Sequence, residues 1–87
     1  MSLAKCLETR FRGDIRFRGQ AYVSGERVEI THVTEERVYG VVHDGQEFQT
    51  QLSREESRLV TFCTCARPGQ EEVHCKHVWA TILATDD

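Results

Sequence analysis

The chain has 87 residues, with 14 acidic side chains against 11 lysines and arginines, and its formal net charge is −3. This balance lacks the dense positive charge that proteins wrapping duplex DNA set against its phosphates. No apolar run approaches the roughly 20 residues of a membrane span, so we expect no membrane partner. A chain of this size buries a modest core and is expected to need a metal or disulfide crosslink.

The N-terminal segment, residues 1–18, is basic and aromatic. Its residues Leu3, Leu7 and Phe11 recur every fourth position, which predicts either a helical stripe or an extended edge. Cys6 lies beside them without a partner at ligand spacing. We therefore interpret it as a small buried hydrophobe.

Two Arg-Phe-Arg triplets lie within this segment on either side of a Gly-Asp-Ile linker. Interleaved arginines and aromatic rings suit phosphate contact and base stacking with single-stranded nucleic acid. The alternative is that both phenylalanines pack inward while the arginines stay solvated and pair with acids. The candidate nucleic-acid ligands are Arg10, Arg12, Arg16 and Arg18, with Lys76 farther along the chain.

Residues 19–62 are predicted to form a short helix followed by most of an antiparallel sheet. The helix covers residues 19–24, places Tyr22 against the sheet, and ends at Gly25, which suits a left-handed closing position. Period-two alternation and β-branched runs then predict strands at 28–31, 37–43, 47–52 and 59–65. Strands in this order favour an antiparallel meander.

The links between these strands carry turn signals. Residues 34–36 and 53–57 are polar and are predicted to be loops. Asp44-Gly45 between two strands predicts a two-residue hairpin turn of type I′. Gly40, inside the second strand, indicates a bulge or a bend over a bulky neighbour.

Residues 63–84 contain the most informative pattern, Cys63-x-Cys65, nine residues, then Cys75-x-His77. Three thiolates and one imidazole are a common closed, tetrahedral ligand set for zinc. The first pair ends a strand, where residues i and i+2 share a face. The second pair opens a helix, whose N-terminal partial positive charge favours a thiolate. A Pro-Gly turn in the link allows the pairs to meet, and we predict one zinc ion per chain.

Other roles for these residues are less favoured. Four cysteines in a short chain can form disulfides, but no signal-peptide pattern precedes them and His77 would then have no role. We therefore expect a reducing, cytoplasmic location. His74 can compete as the imidazole ligand, although the Cys-x-His register favours His77.

The run after His77 is predicted to be a helix with one apolar face. The residues of that face are Val78, Trp79, Ile82 and Leu83. Trp79 is interpreted as a core anchor. The predicted fold is one compact α+β domain: a small antiparallel meander, a short helix, and a C-terminal helix clamped to the last strand by zinc.

The Cys-x-Cys and Cys-x-His pairs, followed by the apolar run 78–83, resemble the SWIM zinc finger. Residues 18–28 resemble the segment before the finger in bacterial members attached to Swi/Snf-type helicases. Ala66 departs from the family, many of whose members have proline there, and this affects only the loop. The resemblance implies contacts with DNA or with proteins of remodelling machinery.

The hypothesis from the sequence is a zinc-binding SWIM-type module that binds DNA or another nucleic acid as part of a helicase or remodelling system. The alternative is a docking module for a protein of a helicase-type complex, which the acidic balance favours. A third class is thiol redox chemistry at Cys63-x-Cys65. We expect no other enzymatic activity, because four protein ligands leave zinc no open position for water.

Overall fold

The computed structural model describes residues 3–56, 58–65 and 75–86. It contains helices α1 (Leu3–Leu7), α2 (Gly13–Ser24) and α3 (Lys76–Asp86), a 3₁₀ turn (Glu8–Arg10), and strands β1 (Val28–Val33), β2 (Arg37–His43), β3 (Glu47–Glu55) and β4 (Arg58–Cys63). The four strands form one antiparallel sheet in the order β1-β2-β3-β4, which confirms the predicted α+β meander. None of the helices described is long and apolar enough to cross a membrane.

The third strand is longer than its sequence predicted. Residues 53–55, predicted as part of a loop, continue β3 and pair with β4 from Ser53↔Val60 to Glu55↔Arg58. The loop prediction was wrong for these three residues because a polar run can form a strand as well as a turn. Pairing with β4 satisfies the backbone N–H and C=O groups of residues 53–55, whatever the polarity of their side chains.

The β2–β3 hairpin lies where it was predicted, but its turn type is different. His43 pairs with Glu47, which leaves the three-residue loop 44–46, and the Asp44 N–H donates to the Gln46 carbonyl at 2.9 Å. Of these loop residues, only Gly45 has a positive φ, 76°. A type I′ turn needs positive φ at both central residues, so the predicted type was wrong.

The second helix begins six residues earlier than predicted. Arg12, with φ −66° and ψ 152°, is the extended residue before it, and Asp14 supplies a carboxylate in the first turn, where the helix dipole favours negative charge. The helix ends at Ser24 as predicted. The left-handed residue that follows is Glu26, with φ 56°, whereas Gly25 has φ −87°.

The C-terminal helix is the centre of the molecule rather than a one-sided cover. Six consecutive residues, from His77 to Ile82, are buried. On one side α3 contacts all four strands, and it also contacts α1 and α2. A helix covered on all sides must be apolar or internally satisfied around its whole circumference. The prediction of one apolar face was therefore too narrow.

Trp79 is buried, 5% exposed, on the helical side of this core. Its ring lies 5.0 Å from the ring of Phe11, which is itself 4% exposed. Leu7 joins the same cluster, so α1 follows the predicted helical stripe as far as this residue. Phe11 itself lies beyond the helix in an extended conformation.

The sheet side of α3 is held by a buried pair of threonines. The Thr81 hydroxyl donates to the His77 carbonyl at 3.0 Å, so the Thr50 hydroxyl is the donor in the hydrogen bond between these two side chains. A Cβ on Gly40 would lie 3.1 Å from Thr81 Cγ2 and 2.9 Å from Thr50 Oγ1. Gly40 thus allows α3 to approach the sheet, and the register irregularity lies opposite, between Ile30 and His32.

Candidate metal centre

The four predicted ligands, Cys63, Cys65, Cys75 and His77, converge at one end of α3. One ligand atom from each residue lies within 4.8 Å of all the others. Tetrahedral bonding with Zn–S near 2.3 Å and Zn–N near 2.0 Å implies edges of about 3.5–3.8 Å, so a small contraction would complete the coordination. The cluster is therefore positioned to hold a metal ion.

A turn, rather than strand alternation, brings the first two sulfurs together. Cys63 is the last residue of β4 and is buried, while Cys65 lies beyond the strand and is exposed. The Cys65 N–H points back at Cys63 Sγ, 3.5 Å away. Thr64 is fixed by two hydrogen bonds with Gln49, of 3.0 and 3.1 Å. The expectation that both cysteines extend from one strand was wrong, although their sulfurs still meet.

Cys75 caps the N-terminus of α3. Its carbonyl accepts the Trp79 N–H at 3.0 Å, and its sulfur accepts the Val78 N–H at 3.5 Å. This is the helix-end environment that was predicted to favour a thiolate. The pKa of Cys75 is lowered, first by the hydrogen bond from the Cys63 thiol, and the same contact together with burial raises the pKa of Cys63.

His77 lies in the first turn of α3 and is almost completely buried, 3% exposed. Its Nδ1 faces the sulfurs of Cys63, at 3.7 Å, and Cys75, at 4.0 Å. Its ring stacks on Phe48 with centroids 4.1 Å apart and planes 15° from parallel. The ring of Tyr22 lies on α2 at a centroid distance of 5.7 Å.

The other ring nitrogen of His77, Nε2, lies 3.1 Å from the carboxylate of Asp44. Sequence reasoning missed this role, since Asp44 was assigned only to the hairpin turn. Hydrogen bonds from His77 and then from Tyr22 lower the pKa of Asp44 to about 2. Burial lowers the pKa of His77, but its hydrogen bonds to Cys75 and Asp44 outweigh burial and raise it overall.

Lys76, one of the predicted nucleic-acid ligands, lies in this network. Its Nζ is 3.4 Å from the Asp44 carboxylate and 5.8 Å from the centroid of the Tyr22 ring. The hydrogen bond with Tyr22 is the main reason that the pKa of Lys76 is raised. Lys76 is therefore ion-paired with Asp44 beside the group of three cysteines and His77.

The four predicted arginines lie on and before the first turns of α2. Arg10, Arg12 and Arg18 are exposed, whereas Arg16 is half-buried and its Nε has no hydrogen-bond partner among the described residues. Arg12 forms an ion pair with Asp14 at 3.3 Å. The two phenylalanines of this segment differ, because Phe11 is buried against Trp79 and Phe17 is 79% exposed. The inward-packing alternative thus holds for one ring and fails for the other.

Three features of the sequence prediction fall outside the described residues: the Pro68-Gly69 turn, Ala66, and His74 as a competing ligand. Within the described chain, the fold and the cluster define a small α+β domain that carries a Cys₃His site positioned for a metal ion. Comparisons with known protein families, curated proteins and solved structures returned no match.

Proposed function

We propose that this chain is a zinc-binding module of the SWIM type with no catalytic activity. The observation that carries the proposal is the convergence of Cys63, Cys65, Cys75 and His77 from a strand end and a helix start. Thiolate and imidazole ligands in a four-ligand set are characteristic of structural zinc. Such a site leaves no position for a substrate or a reactive water, which supports a structural role for the metal.

The first expected result concerns stoichiometry. The purified chain should contain one zinc ion, and Cys75→Ala should lose it to the chelator because removal of one thiolate ligand weakens zinc binding. Cys6→Ala is the matched control, since that cysteine lies outside the motif, and it should keep one zinc. Elemental analysis after dialysis against a weak chelator measures both. Iron in place of zinc, or a folded wild-type chain without metal, would contradict the proposal.

For the module's partner, we propose single-stranded nucleic acid, as expected for part of a helicase or remodelling system. Support comes from the first half of α2, where Phe17 is exposed beside Arg18 and close in sequence to the exposed Arg12. An aromatic ring in solvent can stack on a base of any identity, and flanking guanidinium groups can contact the phosphates. The ring and the charges lie within one short stretch, so one strand can engage both.

A second candidate is docking to a protein partner. Val33 and Phe62, on β1 and β4, are exposed apolar side chains at 61% and 48%. The net charge of −3 also opposes nucleic-acid binding at long range. Protein docking is the favoured function if the zinc-loaded chain binds none of the nucleic acids tested.

The test of this choice uses the zinc-loaded chain and a fluorescent single-stranded oligonucleotide. Phe17→Ala should weaken binding by about 1–3 kcal/mol if the ring stacks on one base. Arg12→Glu and Arg18→Glu, each made singly, should also weaken it and reduce the dependence of log K on log salt, by about one for each phosphate that is no longer bound. Arg54→Glu, an exposed β3 residue away from α2, is the control for charge alone.

Two outcomes of this titration would count against nucleic-acid binding. One is no detectable binding by the wild-type chain at low salt to single-stranded DNA, duplex DNA or RNA. The other is equal weakening by Arg54→Glu and by the α2 variants, which would show that only net charge matters.

A further inference from the structure

The imidazole of a metal-binding histidine offers two nitrogens, and the hydrogen bond made by one decides which of them binds the ion. In this chain the two nitrogens face different partners. Nδ1 of His77 faces Cys63 Sγ at 3.7 Å and Cys75 Sγ at 4.0 Å. Nε2 points the opposite way, to a carboxylate oxygen of Asp44 at 3.1 Å.

We propose that Asp44 is a positioning residue for the metal centre: it accepts the Nε2–H of His77 and so dedicates Nδ1 to the metal. The inference rests on the proposed zinc site and adds a residue that the Cys₃His pattern does not contain. A carboxylate behind a ligating imidazole fixes the tautomer and the ring orientation and makes the other nitrogen a better donor to the metal.

Asp44 is itself held in place, which a positioning role requires. It is the first residue of the three-residue β2–β3 loop, and its N–H is bonded to the Gln46 carbonyl at 2.9 Å. Its carboxylate also forms an ion pair with the Lys76 ammonium at 3.4 Å, and this ammonium lies 5.8 Å from the centroid of the Tyr22 ring. Contacts from α3 and from the hairpin loop itself therefore hold this carboxylate.

The plane of the His77 ring is fixed independently of this hydrogen bond. Phe48 stacks on one side at 4.1 Å, with the planes 15° apart, and Tyr22 lies at 5.7 Å. A half-turn about the Cβ–Cγ bond would keep the ring in this plane. It would direct Nδ1 away from the sulfurs and break the hydrogen bond to Asp44. Stacking thus limits the ring to two orientations, and Asp44 selects between them.

The proposal is tested with three variants of the full chain: Asp44→Ala, Asp44→Asn, and Glu47→Gln as the control. Glu47→Gln removes one carboxylate from the same hairpin without touching His77. Zinc affinity is measured by competition with a chromophoric chelator. Nitrogen-15 NMR of the His77 ring in the zinc-loaded chain reports which nitrogen is metal-bound and which carries hydrogen, and a general loss of stability would not change that assignment.

We expect Nδ1 to be metal-bound and Nε2 to be protonated in the wild-type chain. Asp44→Ala should weaken zinc binding about 10–100-fold, as loss of such a partner does in other metal sites. Asp44→Asn keeps a neutral acceptor and should bind about fivefold more weakly than wild type, because a charge-assisted hydrogen bond is stronger than a neutral one. Glu47→Gln should match the wild type within about twofold of its affinity.

Three results would overturn the proposal. These are a wild-type zinc complex bound through Nε2, an Asp44→Asn affinity equal to wild type, and an equal loss in Glu47→Gln. Asp44→Asn preserves the shape of the side chain, so it decides the question even if Asp44→Ala does not fold. Failure of the proposed zinc function would be distinguishable, because the wild-type chain would then take up no zinc in the chelator competition.

Discussion

Removing the metal with a strong chelator, or removing one ligand as in Cys75→Ala, should unfold the protein in a single transition and shift Trp79 emission to the red. The ligands join the end of β4 to the start of α3, and α3 contacts every strand as well as α1 and α2. When α3 is released, the sheet and the helical layer lose their common partner. We therefore expect global unfolding rather than fraying of the last helix.

The magnitudes support an all-or-none effect. Structural zinc contributes an apparent ~10–16 kcal/mol in finger peptides, which is comparable to or larger than the ~5–15 kcal/mol stability of a typical domain. A helix of 11 residues is also too short to persist alone in water.

Fluorescence and circular dichroism measure this transition, because Trp79 is the single tryptophan and is buried against Phe11. As a control, returning excess zinc should restore blue-shifted emission in the wild-type chain and not in Cys75→Ala. If the metal-free chain kept its blue-shifted emission and an unchanged melting temperature, zinc would be incidental to this fold.

Gly19→Ala should destabilise the chain although alanine is the better helix former. A Cβ at Gly19 would lie 2.7 Å from Trp79 Cδ1, 3.0 Å from the Lys76 carbonyl oxygen and 3.1 Å from the Ala80 nitrogen. Two of these atoms are backbone and cannot rotate away. The clash is relieved only if α2 moves away from α3, and overpacking of this kind costs about 1–3 kcal/mol. The gain in helix propensity from glycine to alanine, roughly 1 kcal/mol, offsets only part of that cost over most of this range.

The matched control for this substitution is Gly13→Ala in the same helix. The nearest atom to a Cβ at Gly13 is Arg16 Nη2 at 3.9 Å, an ordinary contact. This variant should be as stable as wild type or more stable. Thermal denaturation measures both, with about 4–8 °C expected per kcal/mol in a chain of this length. Equal melting temperatures for the two variants would show that the helices do not approach this closely in solution.

The sequence determined features that depend on spacing within a few residues. Period-two alternation and β-branched runs located the strands, Asp44-Gly45 located the β2–β3 hairpin, and the paired spacing of Cys63, Cys65, Cys75 and His77 identified four residues that converge at the start of α3. Each of these signals is local, because strand periodicity and turn residues act through the backbone of their own segment. The extent of α2 was one local feature that was predicted wrongly, since Gly13 and Gly19 weaken helix propensity.

The residues that surround this group of cysteines and His77 depend on tertiary contacts, which no local pattern in the sequence predicts. Asp44 and His77 are 33 residues apart and meet because the hairpin loop and the start of α3 lie at the same end of the sheet. The burial of α3 on all sides depends on α2 packing at Gly19, a close approach that its own sequence cannot specify. Contacts of this kind are selected by three-dimensional packing rather than by periodicity, since they join side chains from elements that have no fixed spacing along the chain.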